Sequence, residues 1–277
     1  HKEYRRQRQM CIRDSPSKDE VGEVSHFRAL TASLSGTIGL GNIAGVAVAI
    51  QLGGPGAIFW MWVTAVFGIA TKFFTATLSV LYRETGHDGK PNAGTMYIIK
   101  NGLPKYMLPL AYFFAFAGVI AGLPAFQANQ VVQLTNDLYF PEVEYFKYYA
   151  GAFLVIVTAM VVLGGLKRIA NVSAWLVPFM GGLYLSAVLF AVLINYDQFL
   201  PAIGLIVSEA FSINSAVAGG LVGVILTGIK RGAFSNEAGI GTEALIHGTA
   251  KTTNPVKQGL IAMTGPIFDT LITVSYT

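Results

Sequence analysis

The sequence predicts an all-α polytopic membrane protein arranged as a five-plus-five inverted repeat, and three observations carry that prediction. The 277 residues are 53% hydrophobic and only 12% charged, where a soluble domain carries roughly 25% charge. Two apolar segments, five helices apart, are interrupted by glycines and amides near bilayer depth. The loops between segments gather their lysines and arginines on one side.

The first span, 27–51, holds the organising stretch, GTIGLGNIAGVAVAI. Apolar residues dominate 30–52, enough to cross ~30 Å of hydrocarbon at about 1.5 Å per helical residue. Gly36, Gly39, Gly41 and Asn42 fall near its middle. Each glycine weakens a helix by ~1 kcal/mol, and backbone groups freed there cannot face lipid. The span therefore reads as two half-helices with a break near 36–42, lining a cavity. Small-residue packing through Gly41 and Gly45 is the alternative, but packing asks for no amide.

A tight turn, Gly53-Gly54-Pro55-Gly56, leads into a second span, 57–82. A polar stretch follows at 83–104. The third span, 106–133, carries Gln127, Asn129, Gln130 and Gln133 in its second half. The fourth covers 148–165, and the fifth, 171–194, contains Pro178. Residues 195–213 are too short-patterned to span and suggest a helix lying at the interface. The sixth span, 215–247, is interrupted within 219–241 by glycines and by the run KRGAFSNEAGIG. The seventh begins near Pro255 and is still apolar at Thr277, so the reading is of a fold truncated after its seventh core helix.

Loop charge tests this count. With the start of the first span in the cytoplasm, the loops on that side hold Arg83, Lys90, Lys100, Lys105, Lys167, Arg168, Lys251 and Lys257. The opposite loops hold Lys147 beside five acids. Such asymmetry is a positive-inside signal. Interrupted helices in equivalent places of two oppositely oriented copies mark the binding site of a secondary transporter.

Residues 1–15 stand apart. Five Lys/Arg against two acids make them basic, and they lack both the apolar core of a signal peptide and an amphipathic period. They are expected to be a non-native tail, with residues 16–277 the transporter domain; a basic arm on anionic lipid is the alternative. Cys11, the one cysteine, lies in the tail, so no disulfide can form within the chain. The remainder is nearly neutral, and nothing points to nucleic acid.

The polar groups at the breaks carry the chemistry. The second half-helix of span one starts around Gly39–Gly41, where its dipole favours an anionic group such as a carboxylate. Freed carbonyls, the Asn42 amide and the hydroxyls of Ser35 and Thr37 suit a hard cation, although such hydroxyls commonly bond back to their own turn. In span six, Phe234, Ser235, Asn236 and Glu237 form a second group. Glu237 reads equally as a site residue or as an ion-pair partner of Lys230 and Arg231. Gln127 reads as a pocket residue or a helix–helix contact. Lys72 is expected to snorkel toward the cytoplasmic face or to pair, and Asp269 to be a partner or a packing polar group. No nucleophile elbow, Cys/His cluster or phosphate loop gives enzyme chemistry a foothold.

SGTIGLGNIAGVAVAI, GGPGAIFWMWVTAVFGIATKFF, GGLKRIANVSAWLVPFMGGLY, RGAFSNEAGIG, PVKQGLIAM and FDTL together resemble the alanine or glycine:cation symporter family, over residues 27–277. The resemblance implies a LeuT-type fold and uptake of small neutral amino acids with Na⁺ as coupling ion, by alternating access in a bacterial-type cell membrane, with no further cofactor. It also implies a further helix before the first core span and core helices eight to ten beyond Thr277. Gly39, Leu40, Gly41 and Asn42 match the substrate-meeting stretch, Gln127 the pocket glutamine, and 234–239 the second broken region. Leu40 stands where Thr is commonest, Thr75 where an acid is usual, and NAGTMY where GGPMYY is. A proton-coupled symporter and a non-transporting amino acid sensor are the alternative readings.

Overall fold

Most of the short helices in this chain gather around one long helix. The computed structural model describes residues 21–122, 125–212 and 220–273; the basic tail and the last four residues lie outside them. In order, the helices are α1 (His26–Thr37), α2 (Leu40–Gly53), α3 (Gly56–Leu81), α4 (Thr95–Gly102), α5 (Leu108–Ala121), α6 (Ala125–Tyr139) and α7 (Phe146–Val162). There follow α8 (Gly165–Ile194), α9 (Tyr196–Glu209), α10 (Gly220–Ser235), α11 (Glu243–Gly248), α12 (Pro255–Ala262) and a π-helix, Ile267–Thr273. A two-stranded antiparallel hairpin, β1 (Glu84–Thr85) and β2 (Pro91–Asn92), follows α3.

The strut is α3. Met61, Ala65, Gly68, Lys72, Ala76 and Ser79 are buried on it, at the three-or-four spacing of one helical face. That face receives α10, α11, α12 and the π-helix, with α2 and α9 alongside. Glycines on α10 set the approach. A Cβ at Gly228 would lie 2.5 Å from the Ala57 carbonyl and from Trp60 Cβ, and one at Gly232 2.9 Å from Thr64 Cβ. These sixth-span glycines do not break the helix as expected. α10 runs unbroken to Ser235, and the non-helical stretch is 236–242.

Three other spans differ from expectation. The third is two helices, α5 and α6, with its apolar run ending at the Gly122 cap. The seventh is α12, a turn and the π-helix rather than one α-helix. α8 starts earlier than the expected 171 and continues through Pro178. Gly56–Leu81 and Gly165–Ile194 are long and apolar enough to cross a membrane, while Lys105–Ile120 and Phe146–Val162 are shorter apolar helices.

One end of the molecule is fastened by Arg83, just past α3. Its guanidinium donates to the carbonyls of Gly248, Ala250, Val21 and Thr252, at 3.0, 2.8, 2.9 and 2.6 Å. A bridge between Val24 and Ala250 adjoins it. The 248–254 loop and the residue that opens the 83–104 loop therefore share a side.

Candidate functional site

The site begins with a two-residue interruption. α1 ends at Thr37, Ile38 is extended (φ −78°, ψ 112°), and Gly39 is the extended N-cap of α2. Asn42 N–H already bonds the Gly39 carbonyl at 3.0 Å, and the N–H groups before it have no partner within the helix. Gly36 faces the second interruption: a Cβ there would lie 3.1 Å from Glu237 Oε1. Glu237 itself has a left-handed φ of 56°, a conformation uncommon for a residue with a side chain. Its carbonyl caps the following turn at Ile240 and Gly241, and Thr242 Oγ1 donates to its Oε2 at 3.2 Å.

Between the two interruptions lies a cavity of about 280 Å³. Ser33, Ser35, Gly36 and Thr37 of α1 line it, with Ile38, Gly39 and Asn42. Gly122 and Gln127 come from the α5–α6 junction; Phe234, Ser235, Glu237, Ile240, Thr242, Glu243 and Ile246 complete the wall. Ser35 and Thr37 hydroxyls donate back to Ala32 and Leu34 carbonyls at 2.7 and 3.2 Å, yet both residues border the space. The Arg231 guanidinium stands 5.6 Å from the Phe234 ring centre. A larger hollow of about 680 Å³, mostly apolar, lies between α6 and α7 and takes Asn129 and Gln133.

The buried end of the cavity is polar. Asn42 Nδ2 donates to Asp269 Oδ1. Ser235 Oγ is 3.0 Å from Asn42 Oδ1 and 3.1 Å from Asp269 Oδ2, and Thr270 Oγ1 donates to the same carboxylate oxygen at 3.1 Å. Three elements thus bring one carboxylate, one amide and two hydroxyls together. Oxygen donors of this kind suit a hard cation.

Two expectations are corrected. Asn236 does not reach the cavity: it is fully buried, its Oδ1 accepts from Ala238 N–H at 3.0 Å, and its amide rests against Gly68 of α3. In a non-helical stretch, neighbours of cavity residues point elsewhere. Lys72 does not snorkel. It is 0% exposed, beside Gly265, and its Nζ has no hydrogen-bond partner among the described residues. Leu40 and Gly41 open α2, and their side-chain surroundings lie outside the described set.

Sequence reasoning missed Thr242, Glu243 and Ser33, and it left Asp269 without its partners. It also missed a second buried group. Glu243 takes a 2.8 Å hydrogen bond from Thr75 on Oε1, while Oε2 is unpartnered. His247, one turn on, accepts at Nδ1 from Gln258 Nε2 at 2.6 Å, and Gln258 Oε1 meets His26 Nδ1 at 2.5 Å. Each unpartnered buried group costs about 1–3 kcal/mol. The i, i+4 spacing of Glu243 and His247 was the available signal.

The family model for the sodium:alanine symporter family matches residues 4–277. A sodium/alanine symporter of Methanococcus maripaludis, AgcS, is 44% identical over 271 residues, 95% of this chain and 59% of that protein. The amino-acid carrier protein AlsT of Bacillus subtilis is 38% identical, over 92% of this chain and 54% of its own length. A sodium/proton-dependent alanine carrier of Bacillus sp. strain PS3 is 34% identical, over 94% and 57%. The chain spans a little over half the length of these relatives.

Proposed function

The chain belongs to the sodium:alanine symporter family, a family of membrane transporters rather than enzymes, and on that premise we propose that its cavity carries a small neutral amino acid together with Na⁺. The observation that bears the reading is the convergence of two helix interruptions on one cavity, at Ile38 and Gly39 and at 236–242, with the Asn42–Ser235–Asp269 group at its buried end. The N-terminus of α2 suits the substrate carboxylate. The carbonyl end of α1 and the Glu237 carboxylate suit its ammonium group. A cavity of about 280 Å³ sits at the small end of ligand sites, which run from ~300 to ~1,000 Å³.

Na⁺ is then a substrate, held by Asn42, Ser235 and Asp269. These residues tie α2, α10 and the π-helix together, so loading a cation there biases how the interrupted helices sit. Interrupted helices of this kind belong to a LeuT-type inverted repeat with alternating access, placed as a multi-pass protein in the cell membrane. Gln127 and Phe234 line the cavity from the α6 and α10 sides.

The test is radiolabelled alanine uptake by the full-length protein in proteoliposomes. An inward Na⁺ gradient should drive accumulation, and choline in its place should not. Saturable binding with no accumulation would identify a sensor and overturn the reading.

A further inference from the structure

Three buried polar groups sit on α3 and α11, two helices that pack together. Lys72 Nζ, Glu243 Oε2 and His247 Nε2 belong to residues 0%, 1% and 0% exposed, and none has a hydrogen-bond partner among the described residues. Glu243 and His247 share one face of α11. Thr75, one turn along α3 from Lys72, holds the other oxygen of Glu243. Gln258 fixes the histidine: its amide N–H donates to Nδ1, so neutral His247 carries its proton on Nε2. Glu243 also lines the amino acid cavity.

We propose that Glu243 is a proton-binding residue of the carrier, exchanging its proton against Na⁺ in the cavity, with Lys72 as its buried counter-charge and Thr75 as the hydroxyl that positions it. This rests on the cavity reading above.

The groups within electrostatic reach of Glu243 are Lys72 from α3 and Glu237 from the interruption, and the Lys72 charge also acts on Asp269 of the π-helix and on His247. His26 on α1 touches His247 only through Gln258. With every carboxyl ionised and both histidines neutral, one positive charge faces three negative ones. Na⁺ beside Asp269 with Glu243 ionised leaves the same net charge as no Na⁺ with Glu243 protonated. A cation entering the group favours the ionised carboxylate, so Na⁺ binding expels the proton. By reciprocity the proton weakens Na⁺ binding.

The test uses full-length protein in detergent, with alanine present and a pH-indicator dye in weak buffer. Adding NaCl should release up to one proton per protein, where choline chloride releases none. The apparent Na⁺ affinity should fall toward tenfold per pH unit in acid, the limit for one competing proton. In Glu243→Gln no proton should leave and the Na⁺ affinity, whatever its value, should be flat with pH. Equal proton release in Glu243→Gln, or none in the wild type while Na⁺ and alanine bind, overturns the proposal. Should that variant fail to fold, Lys72→Met decides: it makes the group more negative, so acid inhibition should begin at higher pH, and an unchanged profile overturns the proposal. Absence of alanine binding at any pH or Na⁺ concentration would instead sink the cavity reading itself.

Discussion

Asn42 and Gly36 make the sharpest residue-level predictions. Asn42→Ala removes an amide that both donates to Asp269 and faces Ser235, leaving a buried carboxylate short of a donor. At about 1–3 kcal/mol for one such contact, the Na⁺ affinity read from alanine-binding titrations should fall roughly 5- to 150-fold. Gly36→Val places a branched side chain where even Cβ would stand 3.1 Å from Glu237 Oε1. Alanine affinity should drop at least about tenfold, or ~1.4 kcal/mol, with the folded state retained; wild-type affinity would remove Gly36 from the cavity's function. Much at this scale was legible. A glycine run carrying one asparagine at bilayer depth has few other uses, and the structure does interrupt the helix there. Asp269 was not legible as the partner of Asn42, because 227 positions separate them. Asn236 was not legible as a buried turn residue, because only coordinates show which way a non-helical side chain faces.

The elements divide by what their glycines do. Gly39 and Gly41 adjoin an interruption; Gly228 and Gly232 of α10 let one helix lie backbone-close on another. Sequence reading gave both the same meaning, since a glycine shows that Cβ is absent and not why. Gly228→Leu separates the uses. Overpacking against the Ala57 carbonyl and Trp60, each 2.5 Å from the built Cβ, should cost about 1–3 kcal/mol. The protein's melting temperature should fall, while alanine affinity of the folded fraction holds. A lost affinity at unchanged stability would show that α10 glycines serve the cavity directly. The division of the third span was illegible for a related reason: Leu108–Ala121 and Ala125–Tyr139 are both good helix sequences, and hydropathy runs across their junction.

Loop charge spoke for the molecule as a whole. The segregation of lysine and arginine put the 83–104 and 248–254 loops on one side, and Arg83 bonds directly to carbonyls of the second. Single cysteines at Asn92 and Thr253, both exposed, should resist a membrane-impermeant thiol reagent in intact cells and react once the cells are opened. Labelling of either from outside would reverse the orientation. Arg83→Lys should loosen this end, because one ammonium cannot replace a planar fork spread over four carbonyls. Faster proteolysis within 248–254, with α3 intact, is the expected result; unchanged cleavage would show that the Val24–Ala250 bridge suffices. The central position of α3 was not legible, since its buried face mixes Met61 with Lys72 and resembles no simple apolar stripe.

That four-carbonyl clasp also sets a clock on the ribosome. Arg83 is separated from Thr252 by 169 positions, and His26 from Gln258 by 232. At roughly 5–20 residues per second, Arg83 emerges on the order of 10–30 s before the loop that receives it. Until then Arg83 has only the Val21 carbonyl of its four acceptors, and the clasp cannot close before the later half of the chain arrives.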